Sequence, residues 1–164
     1  MNTAICWGIS RSMKTLLIAA ASILASVQLC SADLFGKFNG TWNQNGLEPG
    51  ARITTVYKRF QEKGMVATST IVFPGVAKST SITKYYDSGR IKGEMRRNGI
   101  AISAVSGTWS VSGDTLKAQI KVSAPFIPTS RGEVKTTLVS ANKIRTVTTS
   151  SEGVRNSATM TRQR

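Results

Sequence analysis

Apolar and polar residues alternate with a period of two over much of the chain. In residues 116–122 (LKAQIKV), four apolar side chains alternate with three polar ones. This period is typical of a strand with one buried face, because successive side chains point to opposite sides of a sheet. Turn dipeptides such as Pro74-Gly75 and Asn98-Gly99 separate the alternating segments, and no long stretch has the helical period. The pattern therefore predicts about nine or ten short strands joined by hairpin connections.

The predicted strands cover residues 38–44, 51–60, 65–73, 81–86, 90–96, 100–105, 115–123, 133–140, 143–149 and 154–162. Residues 124–130, which contain two prolines, are predicted to form a connecting loop. Short strands at even spacing favour an all-β fold, either an antiparallel up-and-down β-barrel or a sandwich. The barrel is favoured, because an open sheet of so many strands would leave exposed edges.

The first 32 residues have the layout of a secretory signal peptide. Arg11 and Lys14 precede an uncharged apolar run over residues 16–29, and Cys30-Ser31-Ala32 then offers small residues for cleavage. Either Met1 or Met13 can serve as the start. We therefore expect residues 1–32 to be removed and residues 33–164 to form one domain that is exported to the periplasm or secreted. That domain is not expected to span a membrane once the signal is removed.

The charge of the chain is strongly basic. The sequence has 22 Lys and Arg against 8 Asp and Glu, and the predicted signal peptide takes two of the basic residues, which leaves 20 − 8 = +12. Such a field favours polyanionic partners, for example an acidic protein or an anionic component of the cell envelope. The alternative is that the charge only keeps an exported protein in solution.

Few residue types that perform catalysis are present. The chain has no histidine, and both cysteines, Cys6 and Cys30, lie in the predicted signal peptide. The acidic residues are scattered beside turns, with no spacing that suggests a pair of catalytic carboxylates. We therefore expect a protein that is not an enzyme and that needs no metal or cofactor.

Two groups of residues are candidates for binding. The first group would line a cavity inside the barrel: Ile53, Tyr57, Phe73, Tyr86, Leu116 and Ile120. The alternative is that these side chains fill a solid core, as in many small barrels. The second group is the densest basic segment and would bind anions: Lys84, Arg90, Lys92, Arg96 and Arg97. Its alternative is a solvated strand face that prevents edge pairing. With few aromatic residues nearby, no specific nucleic-acid site is predicted.

One tripeptide near the start of the predicted domain, Gly40-Thr41-Trp42, resembles the Gly-x-Trp signature of the lipocalins and the wider calycin group. The run from Ser106 to Leu116 (SGTWSVSGDTL) is similar to small exported bacterial lipocalin-like proteins. The resemblance implies an eight-stranded up-and-down barrel with a cavity for a small apolar ligand. It also implies that Trp42 closes the base of the barrel and that Arg162 lies across it. The disulfide typical of the family is absent.

The expected function is therefore that of an exported, lipocalin-like binding protein. It would hold a small apolar or amphipathic ligand or lipid, with an anionic head group as the favoured form. The alternative is a basic interaction module whose outer face docks an acidic protein or an envelope polyanion.

Overall fold

Ten antiparallel strands account for most of the chain. The computed structural model describes residues 36–60 and 64–163, and the predicted signal peptide lies outside them. The strands are β1 (Gly40–Gln44), β2 (Arg52–Arg59), β3 (Gly64–Phe73), β4 (Val76–Tyr86), β5 (Arg90–Arg97), β6 (Ile100–Ser112), β7 (Thr115–Ala124), β8 (Ile127–Ser140), β9 (Lys143–Ser150) and β10 (Arg155–Arg162). A single helical turn over residues 36–38 precedes β1.

The strands close into an up-and-down barrel. Each strand pairs with its neighbours in the sequence, and β1 pairs with β10 to complete the circle. The predicted all-β antiparallel barrel is confirmed, with ten strands rather than the eight that the lipocalin resemblance implies. None of the helical residues in the described part of the chain forms a helix long and apolar enough to cross a membrane.

Three strands are much longer than the sequence pattern predicted, namely β4, which begins at Val76 instead of residue 81, β6 and β8. The predicted loop over residues 124–130 is wrong, because β7 and β8 are joined by Pro125 and Phe126 alone. A shift in register between Val122 and Ala124 bends this hairpin, and such irregular positions near a strand end tolerate proline. The strand predicted over residues 100–105 continues to Ser112.

The two ends of the barrel differ in their contents. We call one end the base; it is the end with residues 36–39 and with the turns at residues 87–89, 113–114 and 141–142. We call the opposite end the rim; it carries the connections at residues 45–51, 74–75, 98–99, 125–126 and 151–154. Most of the large aromatic side chains of the core lie at the base.

The first half of the base cluster surrounds Trp42. Its indole is fully buried, and its Nε1 donates a hydrogen bond to the Phe38 carbonyl at 2.8 Å. The Phe38 ring in turn meets the edge of Tyr57, with 5.9 Å between the ring centroids. Burial of three such rings supplies a large apolar contribution to the stability of this end.

Arg162 covers this cluster from the last strand. Its guanidinium carbon lies 4.6 Å from the centre of the Trp42 ring. Nη1 donates to the Asn39 carbonyl at 3.0 Å, and Nη2 donates to the Lys37 carbonyl. This is the residue pair that the lipocalin resemblance singled out, and the contact combines cation–π attraction with two hydrogen bonds to the segment before β1.

Candidate ligand-binding site in the barrel interior

The interior wall toward the rim mixes apolar and polar side chains. On neighbouring strands Ile53 pairs with Ile71, Ile71 with Ser79, and Ser79 with Arg97. Because side chains of paired residues point to the same face of a sheet, these four positions form one inward-facing row across β2 to β5. Ile53 and Ser79 are buried and Arg97 is half-buried. The row therefore ends in a cation that faces the interior at the rim.

A second row, one step nearer the base, is rich in hydroxyl groups. Thr55 pairs with Ser69, Ser69 with Ser81, and Ser81 with Met95. All four side chains are buried, and the Thr55 and Ser69 hydroxyls are 2.8 Å apart in a hydrogen bond. Together the two rows give this part of the wall both an apolar surface and several groups that can accept or donate hydrogen bonds.

Three polar atoms of the interior wall are buried without a hydrogen-bond partner, two of them near the rim and one, that of Thr83, two residues from Tyr85 in the direction of the base. They are Gln44 Oε1, Thr83 Oγ1 and Arg97 Nε. A buried polar group without a partner destabilises the fold by about 1–3 kcal/mol. Such groups are uncommon, and each needs a physical explanation. A bound ligand that supplies the missing partners is one such explanation.

The buried Thr83 hydroxyl packs beside a glycine of the neighbouring strand. Gly93 lies directly opposite Thr83 on β5, and a Cβ atom at Gly93 would come within 2.9 Å of Thr83 Oγ1. The same Cβ would lie 2.8 Å from the Ile82 carbonyl oxygen, so the backbones approach closely here. Glycine at this position therefore leaves the space beside the hydroxyl without a side chain.

The predicted cavity residues divide into four groups. Ile53 and Ile120 are buried and face the interior, whereas Tyr57 and Leu116 are fully buried in the part of the core nearer the base. Phe73 is partly buried against the core at the end of β3. Tyr86 lies on the outer wall, where its ring meets the edge of Phe60.

The prediction that Tyr86 lines a cavity is corrected by the burial pattern of β4. In β4 the buried positions are Ser79, Ser81, Thr83 and Tyr85. Tyr85 therefore occupies the interior, and its ring meets Trp109 edge-on with 6.2 Å between the centroids. Burial, together with the nearby Tyr57, raises the pKa of Tyr85 well above its ordinary value, so this hydroxyl stays neutral.

The predicted anion-binding residues do not share one face. Lys84, Arg90, Lys92 and Arg96 are exposed on the outer wall of β4 and β5, whereas Arg97 faces the interior. Arg96 is also paired with Glu94, whose carboxylate lies 2.6 Å from Arg96 Nε. The structure therefore separates Arg97 from the patch in which the sequence pattern placed it.

The buried hydroxyl residues were missed by the sequence analysis. Ser69, Ser81 and Thr83 carried no motif, and alternation alone does not show which face of a polar strand is buried. The sequence did contain a signal that Arg97 faces the interior, because in β5 it alternates in step with the apolar residues Ile91 and Met95. Within the described residues, no cluster of three or more His, Cys, Asp or Glu could hold a metal ion.

These features define a closed ten-stranded barrel with an aromatic base and a polar and apolar wall toward the rim. No family model and no curated protein matches the sequence. Among solved structures, the fold is similar to the crystal structure of Rv2717c from M. tuberculosis, with a TM-score of 0.53 and 13% sequence identity. The alignment covers 84% of this chain and 100% of that chain. At this identity the similarity concerns the fold alone.

Proposed function

We propose that this protein is an exported, non-enzymatic, lipocalin-like binding protein. It holds a small amphipathic ligand with an anionic head group inside the rim half of the barrel. The observation that supports this proposal most directly is the inward-facing guanidinium of Arg97, whose Nε is buried and has no hydrogen-bond partner. No carboxylate is paired with it among the ion pairs of the described residues.

The two interior rows suggest how such a ligand is held. The apolar part of the ligand contacts Ile53, Ile71 and Met95, and the anionic head accepts hydrogen bonds from Arg97 and from the Ser79 hydroxyl, which lies opposite it on β4. Hydrogen bonds between charged partners are about twice as strong as those between neutral groups. The aromatic base closes the other end, so the apolar part is kept away from water on that side.

The test is a fluorescence titration with anilinonaphthalene sulfonate, a probe with apolar rings and one anionic group, followed by displacement with dodecanoate. The Arg97→Gln variant removes the inward charge. We expect its dissociation constant to rise about tenfold, which corresponds to about 1.4 kcal/mol. The Thr83→Val variant removes the unpaired hydroxyl at similar volume, and we expect a stability gain of about 1 kcal/mol with little change in probe binding, because Thr83 lies four residues nearer the base than the partner of Arg97 on β4.

The neighbouring residue supplies the matched control. Arg96→Gln removes the same charge from the outer wall, and we expect its effect on the dissociation constant to stay below about twofold. Equal effects of the two variants would contradict an interior site. Unfolding curves of each variant show whether the fold is retained.

The outer wall of β4 and β5 is a second candidate, for an acidic protein or an envelope polyanion. Lys84 and Lys92 are paired directly across the two strands, and like charges at such positions repel each other. A bound polyanion would relieve this repulsion. In that case a Lys84→Gln/Lys92→Gln variant would lose probe or polyanion binding while Arg97→Gln retained it.

A further inference from the structure

Exposed apolar side chains are concentrated at the rim. In the described part of the chain, five large apolar residues have high exposure, and four of them belong to rim connections or the strand ends beside them. Their exposed fractions are 39% for Val76, 71% for Ile100, 54% for Val154 and complete exposure for Phe126. The fifth, Val139, is 54% exposed and lies near the base. Side chains of this kind in water carry an unfavourable hydration free energy that a partner would relieve.

The backbone conformation of Phe126 is one that is unfavourable for a bulky residue. It has a φ of 63° in the two-residue connection between β7 and β8. Residues with a bulky side chain are rare in this left-handed region, whereas glycine adopts it without steric cost. The chain therefore places a large aromatic ring at the tip of a hairpin, in full contact with solvent, at a position where glycine would be more stable.

Three of the five rim connections contain a proline. The chain has four prolines, and all of them lie at the rim: Pro49, Pro74 and Pro125 in the connections and Pro128 at the second position of β8. Proline fixes its own φ and restricts the residue before it. Proline therefore restrains the connections beside Val76 and Phe126, whereas the connections beside Ile100 and Val154 contain none.

Basic residues surround these apolar tips. Six outward-facing cations lie at the rim: Arg52, Lys78, Arg96, Lys121, Arg131 and Arg155. Three carboxylates accompany them, those of Glu48, Glu94 and Glu152, so the local balance is 6 − 3 = +3. The base is basic as well, so charge alone does not distinguish the two ends. The combination of positive charge with exposed apolar side chains is what distinguishes the rim.

We propose that the rim docks on an anionic lipid surface. Phe126 and Ile100 enter the boundary between head groups and acyl chains, and the rim cations contact the lipid phosphates. The apolar residues stand on separate hairpins instead of forming one contiguous patch, which suits a fluid surface better than a rigid protein partner. Apolar burial and attraction to anionic lipids together determine the strength of such peripheral binding. The proposal does not depend on what the barrel interior binds.

The test is co-sedimentation with vesicles made of equal parts of phosphatidylglycerol and phosphatidylcholine, compared with vesicles of phosphatidylcholine alone. We expect the protein to bind the anionic vesicles, and high salt to weaken that binding. A Phe126→Ser/Ile100→Ser variant should partition about tenfold or more weakly, because two exposed apolar side chains are removed. Failure of the unmodified protein to bind, or equal binding to both kinds of vesicle, would overturn the proposal.

Val139 and Val154 form a matched pair for this experiment, since both are 54% exposed and they lie near opposite ends of the barrel. Val154→Ser should weaken vesicle binding and Val139→Ser should not. Equal effects of the two changes would contradict docking through the rim.

The Phe126→Gly variant separates binding from stability. Glycine suits a φ of 63°, so we expect the melting temperature to rise by a few degrees while vesicle binding falls. A variant that binds vesicles as tightly as the unmodified protein would overturn the role of Phe126. In a Phe126→Trp variant, brominated lipids should quench the added indole, whereas an indole placed by Val139→Trp should be protected from them.

Discussion

Arg96 and Arg97 are consecutive and carry the same charge, yet they lie on opposite faces of the barrel wall. Arg96 is exposed and paired with Glu94, whereas Arg97 faces the interior with its Nε unpaired. At the scale of the residue, the environment of each charge determines what it can bind. The outer charge is screened by water and salt, while the inner one is surrounded by groups of lower polarity, in which electrostatic interactions are stronger.

Tyr85 illustrates the same point for a neutral group. Its pKa is raised by burial in the base cluster and by Tyr57. The unfolded chain loses the Tyr85 proton near pH 10, whereas the folded protein keeps it to a higher pH. The contribution of this residue to stability is therefore complete below about pH 10 and is lost as the pH rises through the folded-state pKa.

We therefore expect the Tyr85→Phe variant to lose stability less steeply in alkali. Above about pH 10 its free energy of unfolding should fall less steeply than that of the unmodified protein, by up to about 1.4 kcal/mol per pH unit. Urea unfolding at a series of alkaline pH values measures the slope. The Tyr86→Phe variant controls for loss of a tyrosine from the outer wall. Identical slopes for Tyr85→Phe and the unmodified protein would contradict the assignment.

At the scale of the element, the existence of the strands could be predicted but the buried face of β4 could not. Residues 79–85 (STSITKY) are polar at most positions, and the only aliphatic side chain, Ile82, has the phase of Tyr86. Apolar alternation therefore favoured the wrong face. The buried phase consists of hydroxyl residues that end at Tyr85. The pairing of β4 with β3 and β5 determines which of the two alternating sets of side chains is buried. The residues of β4 alone do not determine that pairing.

The two Gly-Thr-Trp tripeptides also acquire distinct roles in the structure. Trp42 and Trp109 are both buried at the base, on strands that lie opposite each other in the ring of ten. Trp109 Nε1 donates to the carbonyls of Tyr86 and Arg90, at 3.0 and 3.2 Å. Because β1 and β6 run in opposite directions, rotation about the barrel axis does not superimpose the tripeptides, so they are not equivalent parts of two halves.

The glycine of the second tripeptide is required by the approach of β6 to β7. A Cβ atom at Gly107 would lie 2.0 Å from the Gln119 carbonyl oxygen, which belongs to the backbone and cannot rotate away. We therefore expect Gly107→Ala to lower the free energy of unfolding by about 3 kcal/mol or more. Urea unfolding measures this change.

Gly36 is the control for that substitution. Nothing lies within 4 Å of a Cβ atom added there, so Gly36→Ala should change stability by less than about 0.5 kcal/mol. A similar small effect for Gly107→Ala would show that the two strands separate easily at this point, contrary to the close approach described here.

At the scale of the whole molecule, alternation and turn signals were enough to predict a closed antiparallel barrel. The candidate interior site was predicted only in part: the sequence marked Ile53 for a cavity and Arg97 for anion binding, but these two residues and Ser79 come to share one row only through the register of successive strands. The resemblance to lipocalins implied eight strands, and the two additional strands belong to the evenly spaced series that the turn signals marked. The exposure of Phe126 was hidden by the prolines beside it, which suggested a loop rather than a hairpin tip.

The contact between β1 and β10 differs from every other strand pair in the separation of its partners along the chain. Asn45 and Thr161, which are hydrogen-bonded across it at 2.6 Å, are 116 residues apart. Other neighbouring strands are consecutive in the chain, with short connections. Contacts between distant residues pay a larger entropy of loop closure, so they form late in folding. We expect the consecutive strands β1 to β10 to pair first and the contact between β1 and β10 to close the circle in the last step.

This order has a kinetic consequence for Arg162. Arg162→Lys removes the planar fork over Trp42 and should lower stability by about 2 kcal/mol. Stopped-flow measurements should show faster unfolding with little change in the folding rate, because the contact is absent from the transition state. Arg155→Lys, at the far end of β10, should leave both rates unchanged. If Arg162→Lys instead slowed folding and left the unfolding rate unchanged, the circle would close before or during the rate-limiting step. If closure comes last, the lifetime of the folded barrel, and not its speed of assembly, depends on the meeting of its first and last strands.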